Sequence, residues 1–96
     1  MAAYVSIRIK VDDPSKLKPY QEIAPSIIKK YNGKIIVRGG DVITLEGPEE
    51  NRRIVIIEFK NLDEAKQFYN SEEYKSAIEL RKNIADFEII AINGVE

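Results

Sequence analysis

The sequence predicts an α+β domain with the element order β-α-β-β-α-β, a four-stranded, mostly antiparallel sheet carrying its helices on one face. Three observations predict it. The chain opens on a strictly alternating run, two later segments carry apolar residues at helical spacing, and three further apolar runs are bounded by turn residues.

Tyr4 to Val11 alternates without exception. Val5, Ile7, Ile9 and Val11 share one face, and Tyr4, Ser6, Arg8 and Lys10 the other, which is the pattern of a half-buried strand. Asp12-Asp13-Pro14 then signals a helix start, with Asp13 as cap and Pro14 at the first helical position. Leu17, Tyr20, Ala24, Ile27, Ile28 and Tyr31 form the apolar stripe that follows. Pro19 and Pro25 each remove a backbone donor, so a short first turn followed by a kinked helix is expected, ending at Asn32-Gly33.

Lys34 to Arg38 is predicted as the second strand, with Ile35 and Val37 opposed to Ile36. Gly39-Gly40 suggests a bulge or kink, after which Val42 to Glu46 is expected to resume extended. Gly47 to Asn51 is turn chemistry. Arg53 to Phe59 forms the third strand, with Ile54 and Ile56 facing one way and Val55, Ile57 and Phe59 the other. Asn61 to Glu64 has capping-box spacing, and Leu62, Ala65, Phe68 and Tyr69 make the next buried stripe. Asn70-Ser71 interrupts that helix, and Ser71 can cap a second segment with Tyr74, Ala77, Ile78 and Arg81 on one face. Phe87 to Ile92 is the last strand, with Phe87 and Ile89 set against Ile90 and Ile92, and Gly94 to Glu96 is tail. The order is that of a ferredoxin-like, split βαβ domain.

At 96 residues the chain is expected to form one domain spanning 1–96 with a modest core. Net charge is −1 with acids and bases interleaved, which argues against the basic surplus of a nucleic-acid binder. Absence of both Cys and His removes disulfides, thiolate chemistry, the usual triads and zinc sites. No run approaches the length of a membrane span and no signal-peptide core is visible, so a cytoplasmic protein without membrane contact is expected.

Widths lead from fold to assembly. Four strands at about 4.8 Å make a sheet roughly 19 Å wide, which two helices of about 10 Å cover on one face only. The third and fourth strands, however, present apolar side chains in both directions. A second face of roughly 400 Å² that is largely apolar lies near the upper limit for a soluble monomer. Two copies are therefore expected to close sheet against sheet into a barrel-like homodimer.

The ordered set Lys30-Tyr31-Asn32-Gly33, Val37-Arg38-Gly39-Gly40, Leu45-Glu46-Gly47, Ile57-Glu58-Phe59 and Ser71-Glu72-Glu73-Tyr74, together with Arg81, resembles the signature of domain-of-unknown-function family 1330. The resemblance runs from Tyr4 to Gly94 and implies a dimeric α/β-barrel. The family has no established reaction. Its wider relatives include cofactor-free monooxygenases, small isomerases and haem-degrading or peroxidase-like proteins, which hold a ligand between sheet and helices or in the barrel. This chain departs from the pattern at Ile92-Asn93-Gly94, where an acidic residue is usual before the Gly, and its lack of His weakens a haem analogy.

Five residues are candidates for a site. Arg38, beside the Gly pair, suits a fork-shaped anchor for a carboxylate, or else an ion pair with Glu46 or Glu58. Arg81 shares the inward face of Tyr74 and Ile78, where it can reach a ligand or snorkel over the core. Glu58 follows four apolar residues and is a general-base candidate, or the partner of Arg38. Tyr69 and Tyr74 flank the helix break, where either phenol can donate to an oxyanion or be satisfied internally. Tyr4, Ser6 and Arg8 would line the dimer interior. No phosphate loop and no metal-ligand spacing occur. Two functions follow: a small-molecule site for a carboxylate-bearing ligand, with or without catalysis and without a cofactor, or an assembly module whose ionic residues lock the dimer.

Overall fold

A computed structural model describes residues 1–95; Glu96, the last residue of the expected tail, lies outside the described residues. The elements are β1 (Ala3–Val11), a 3-10 turn (Pro14–Leu17), α1 (Lys18–Lys30), β2 (Lys34–Arg38), β3 (Arg53–Phe59), α2 (Leu62–Tyr69), α3 (Glu72–Arg81) and β4 (Ala85–Asn93). One open four-stranded sheet runs β2-β3-β1-β4, and every neighbouring pair is antiparallel.

Alternation in β1 sets the layers. Val5, Ile7 and Ile9 are buried, and across the sheet they meet Ile57, Val55 and Arg53 on β3 and Ala91, Ile89 and Phe87 on β4. Leu17, Tyr20, Ala24, Ile27 and Ile28 from the first helical stretch close over them, with Ala65, Phe68, Tyr74 and Ala77 from α2 and α3. Sheet and helices form two layers only, and the molecule measures 34 × 32 × 17 Å. Among the described residues no helix is long and apolar enough to cross a membrane.

Local chemistry explains the boundaries. The Asp13 carboxylate accepts from the Ser15 amide at 3.1 Å and starts the 3-10 turn. α1 contains Pro25, whose missing N–H leaves the Gln21 carbonyl without its helical donor. Asn32 takes the left-handed conformation after α1, with φ 66°, and the Gly33 amide donates back to the Ile28 carbonyl at 2.8 Å. A Cβ at Gly33 would stand 2.7 Å from Ile28 and 2.8 Å from Phe59, so glycine is required for this close approach. Asn61 Oδ1 accepts from the Glu64 amide at 2.8 Å, and Ser71 Oγ accepts from the Tyr74 amide at 3.1 Å, capping α2 and α3.

Two expectations about the second strand require correction. The chain does bend at Gly39-Gly40, but the bulge itself lies earlier, within β2: Ile35 pairs with Ile57 but Val37 pairs with Ile56, so Ile36 is the extra residue. Val37 therefore shares the reverse face with Ile56, and no longer the face of Ile35. Gly39 and Gly40, at φ 66° and 100°, then end the strand, and Val42 to Glu46 does not resume it. That stretch has no strand partner among the described residues and is tied locally through a side chain, Thr44 Oγ1 accepting from the Glu50 amide at 2.8 Å. β4 extends two residues earlier and one later than the expected Phe87–Ile92, since β1 is long enough to pair with the whole of it.

The reverse face is mixed. Arg8, Glu50, Arg52 and Glu88 form an ionic network at one end, with Arg8 Nε 3.1 Å from Glu50, Arg52 Nε 2.8 Å from Glu50 and Arg52 2.6 Å from Glu88. The Arg52 guanidinium, first among the causes, holds the Glu50 carboxyl at about 2. Beside and beyond that network Val37, Ile54, Ile56, Ile90 and Ile92 lie on this face, with Tyr4, Ser6 and Glu58 among them. Ile90 and Ile92 are 59% and 60% exposed.

Candidate functional site

The bulge at Ile36 has a chemical consequence. By consuming one residue it brings Arg38 opposite Val55, which faces the helices, so Arg38 lands on the helix side of the sheet. There it lines a cavity of about 380 Å³ between the sheet and α1. Ile7 and Ile9 of β1, Ile35 of β2 and Val55 of β3 form the floor, and Leu17, Tyr20, Ala24, Pro25 and Ile28 the helical wall. Polar groups come only from Arg38, Arg53, Gln21 and the Tyr20 side chain. The combination of an apolar body and a few convergent polar groups is that of a small-molecule pocket, and the volume lies in the usual range.

Tyr20 connects this cavity to the buried chemistry behind it. Its hydroxyl lies 2.6 Å from the Tyr74 hydroxyl, and Arg81 donates to that same Tyr74 oxygen at 3.5 Å. Tyr74 is fully buried and Arg81 is 9% exposed. The guanidinium sits 3.8 Å above the Phe87 ring centroid and within 6 Å of the Tyr20 and Tyr74 rings, at 5.6 and 5.9 Å. Aromatic faces thus supply part of the stabilisation that a carboxylate would otherwise give the buried cation, while Arg81 Nε has no hydrogen-bond partner among the described residues. Burial, followed by the charge and the hydrogen bond of Tyr74, raises the Tyr20 phenol above its ordinary range, so it stays protonated. The Ser71 cap fixes the start of α3 and with it Tyr74; its hydroxyl also donates to the Phe68 carbonyl at 2.7 Å.

The five residues singled out from sequence do not converge. Tyr74 and Arg81 meet, and Tyr20 links them to the wall of the cavity that Arg38 enters. Glu58 lies on the opposite face, where it accepts from the Tyr4 hydroxyl at 3.2 Å and raises that phenol above its ordinary value. Tyr69 packs its ring against Tyr74, with centroids 5.6 Å apart, but is 43% exposed and lines a different groove, of about 200 Å³, between α2 and β4. Arg38 and Glu58 therefore cannot pair within one chain, since they stand on different faces of the sheet.

Sequence reading missed Arg53, Gln21 and Tyr20 as cavity residues. For Arg53 the signal was present: extending the alternation of Phe59, Ile57 and Val55 by one step puts it on the helix side. For Arg38 it was not, because Ile35-Ile36-Val37 is apolar throughout and hides the bulge. Among the described residues no three of Asp, Glu, Cys or His come together to hold a metal ion.

Known structures share this architecture. A protein of unknown function from Rhodopseudomonas palustris, RPA0582, superposes with a TM-score of 0.75 at 16% identity over 99% of this chain and 83% of its own. SnoaB from Streptomyces nogalater, a cofactor-independent oxygenase, gives 0.68 at 9% identity over 99% of this chain and 94% of its own. A dimeric protein of unknown function with a ferredoxin-like fold, from Bacteroides fragilis NCTC 9343, gives 0.65 at 17% identity over 97% and 96%. At these identities the likeness is one of fold. No curated protein matches the sequence. The family match rests on sequence: residues 2–95 fit the domain of unknown function DUF1330, and the chain belongs to that family.

Proposed function

We propose that this protein is a homodimer, closed through the reverse faces of its two sheets, and that each copy binds a small carboxylate-bearing organic molecule in the cavity between sheet and α1. One observation carries the ligand reading: the β2 bulge turns Arg38, a fork-shaped donor, onto the rim of an apolar cavity of about 380 Å³. The buried Tyr20–Tyr74–Arg81 group supports it by giving the inner wall a positive, hydrogen-bonded backing. The exposed Ile90 and Ile92 and the dimeric state of the Bacteroides fragilis relative support the assembly. SnoaB is a cofactor-independent oxygenase of the same fold, which supports extending the reading to chemistry without a cofactor.

The test is a thermal-shift screen of small aliphatic and aromatic carboxylates against the parent and Arg38→Ala. Ligands at about 100 times their Kd stabilise the parent by about 2.7 kcal/mol, a shift on the order of 10 °C or more, and the variant should lose most of it. A variant that binds everything the parent binds would refute the role of Arg38. If no carboxylate shifts either protein while Arg38→Ala dissociates the dimer, the chain is an assembly module instead.

A further inference from the structure

Arg38 is not alone at the rim. Arg53 stands two residues before Val55 on β3, and Val55 is the residue opposite Arg38. The two arginines are therefore diagonal neighbours on one face of adjacent strands, about 7–8 Å apart at their Cα atoms. Both line the same cavity. The Arg53 guanidinium lies across the bare backbone of Gly39, where a Cβ would come within 2.9 Å of its Cζ atom. Gly39 is itself held by its amide, which donates to the Ile54 carbonyl at 2.8 Å.

Position and charge pairing together set these two apart: they are the cations that line the cavity, and no carboxylate among the described residues neutralises either. Arg8, Arg52, Lys30 and Lys75 each lie against a carboxylate, whereas among the described residues neither Arg38 nor Arg53 does. Both are exposed at the rim, so solvent screens part of the repulsion between these like charges on neighbouring strands, and their side chains are free to reach a ligand. What relieves the remainder is an oxyanion with two negative charges, contacted by both forks.

Resting on the ligand reading above, we infer that the cavity selects amphipathic dianions: an apolar body against Leu17, Ile28 and Ile35, with two negative charges on the oxygens of one end. Arg53 is then the residue that sets charge specificity, Arg38 the common anchor. A geminal dicarboxylate and a phosphate monoester share this chemistry.

Calorimetric titration with phenylacetate, phenylmalonate, phenyl phosphate and inorganic phosphate, at about pH 7.5 where the second charge is present, reads it directly. A second charge-assisted contact should make phenylmalonate or phenyl phosphate bind about tenfold tighter than phenylacetate. The stronger of the two identifies the head group, and inorganic phosphate should bind more weakly than phenyl phosphate. Arg53→Gln should abolish the preference for two charges, bringing phenylmalonate and phenyl phosphate to within about a factor of two of phenylacetate in the same variant. Equal affinity for one charge and two, or a preference that survives Arg53→Gln, overturns the inference and leaves the carboxylate pocket standing. Failure of all four probes overturns both. The ranking on the unmodified protein decides the charge class even if a variant is unstable.

Discussion

Tyr74 shows how much one side chain holds. Its hydroxyl joins Tyr20 from α1 to Arg81 from its own helix, and its ring packs 4.5 Å from that of Phe68. Replacing it with Phe keeps the ring but leaves the buried Tyr20 hydroxyl without that 2.6 Å partner. An unmet buried hydroxyl costs about 1–3 kcal/mol, so Tyr74→Phe should lower the urea midpoint with an unchanged slope. An unchanged midpoint would mean that the phenol pair contributes nothing to the fold. The inward position of Tyr74 and Arg81 was legible from their seven-residue spacing on an amphipathic helix. That Tyr20 would meet them was not, because the pairing joins residues 54 apart and depends on how α1 packs on α3.

At the scale of elements, most boundaries were legible because they rest on local chemistry: Asp13, Asn61 and Ser71 all cap as their spacing suggests. The stretch from Ile35 to Glu46 was not. Three consecutive apolar residues carry no phase, and only pairing with Ile56 and Ile57 decides where the extra residue goes. Arg38 changes face on that decision. The tie between α1 and α3 also belongs to this scale: Lys30 pairs with Glu73, which accepts from the Tyr31 hydroxyl at 2.8 Å as well. The Lys30 ammonium first, then backbone and Tyr31 hydrogen bonds, hold the Glu73 carboxyl at about 2, below its ordinary 4.5. A carboxyl lowered on folding stabilises the native state above its unfolded value and loses that stabilisation as pH falls through the folded one. Glu50 behaves alike. Stability should therefore decline between about pH 4.5 and 2, and Glu73→Gln should flatten part of that decline. A pH profile identical in the variant would remove Glu73 from the account.

For the whole molecule, the two-layer architecture and the greasy reverse side followed from alternation and simple widths. The ionic network at one end did not, since it is built by Glu50 and Arg52 from the loop before β3 reaching Arg8 and Glu88. It covers part of the face and leaves Val37, Ile56, Ile90 and Ile92 outside it, where the proposed second copy would sit. Sedimentation velocity at micromolar concentration tests that assignment most directly. The expected result is a species of twice 11.0 kDa, reduced to the single-chain mass by Ile90→Lys. A lone 11.0 kDa boundary for the unmodified protein would show that the reverse face lives in water and that the dimer does not exist.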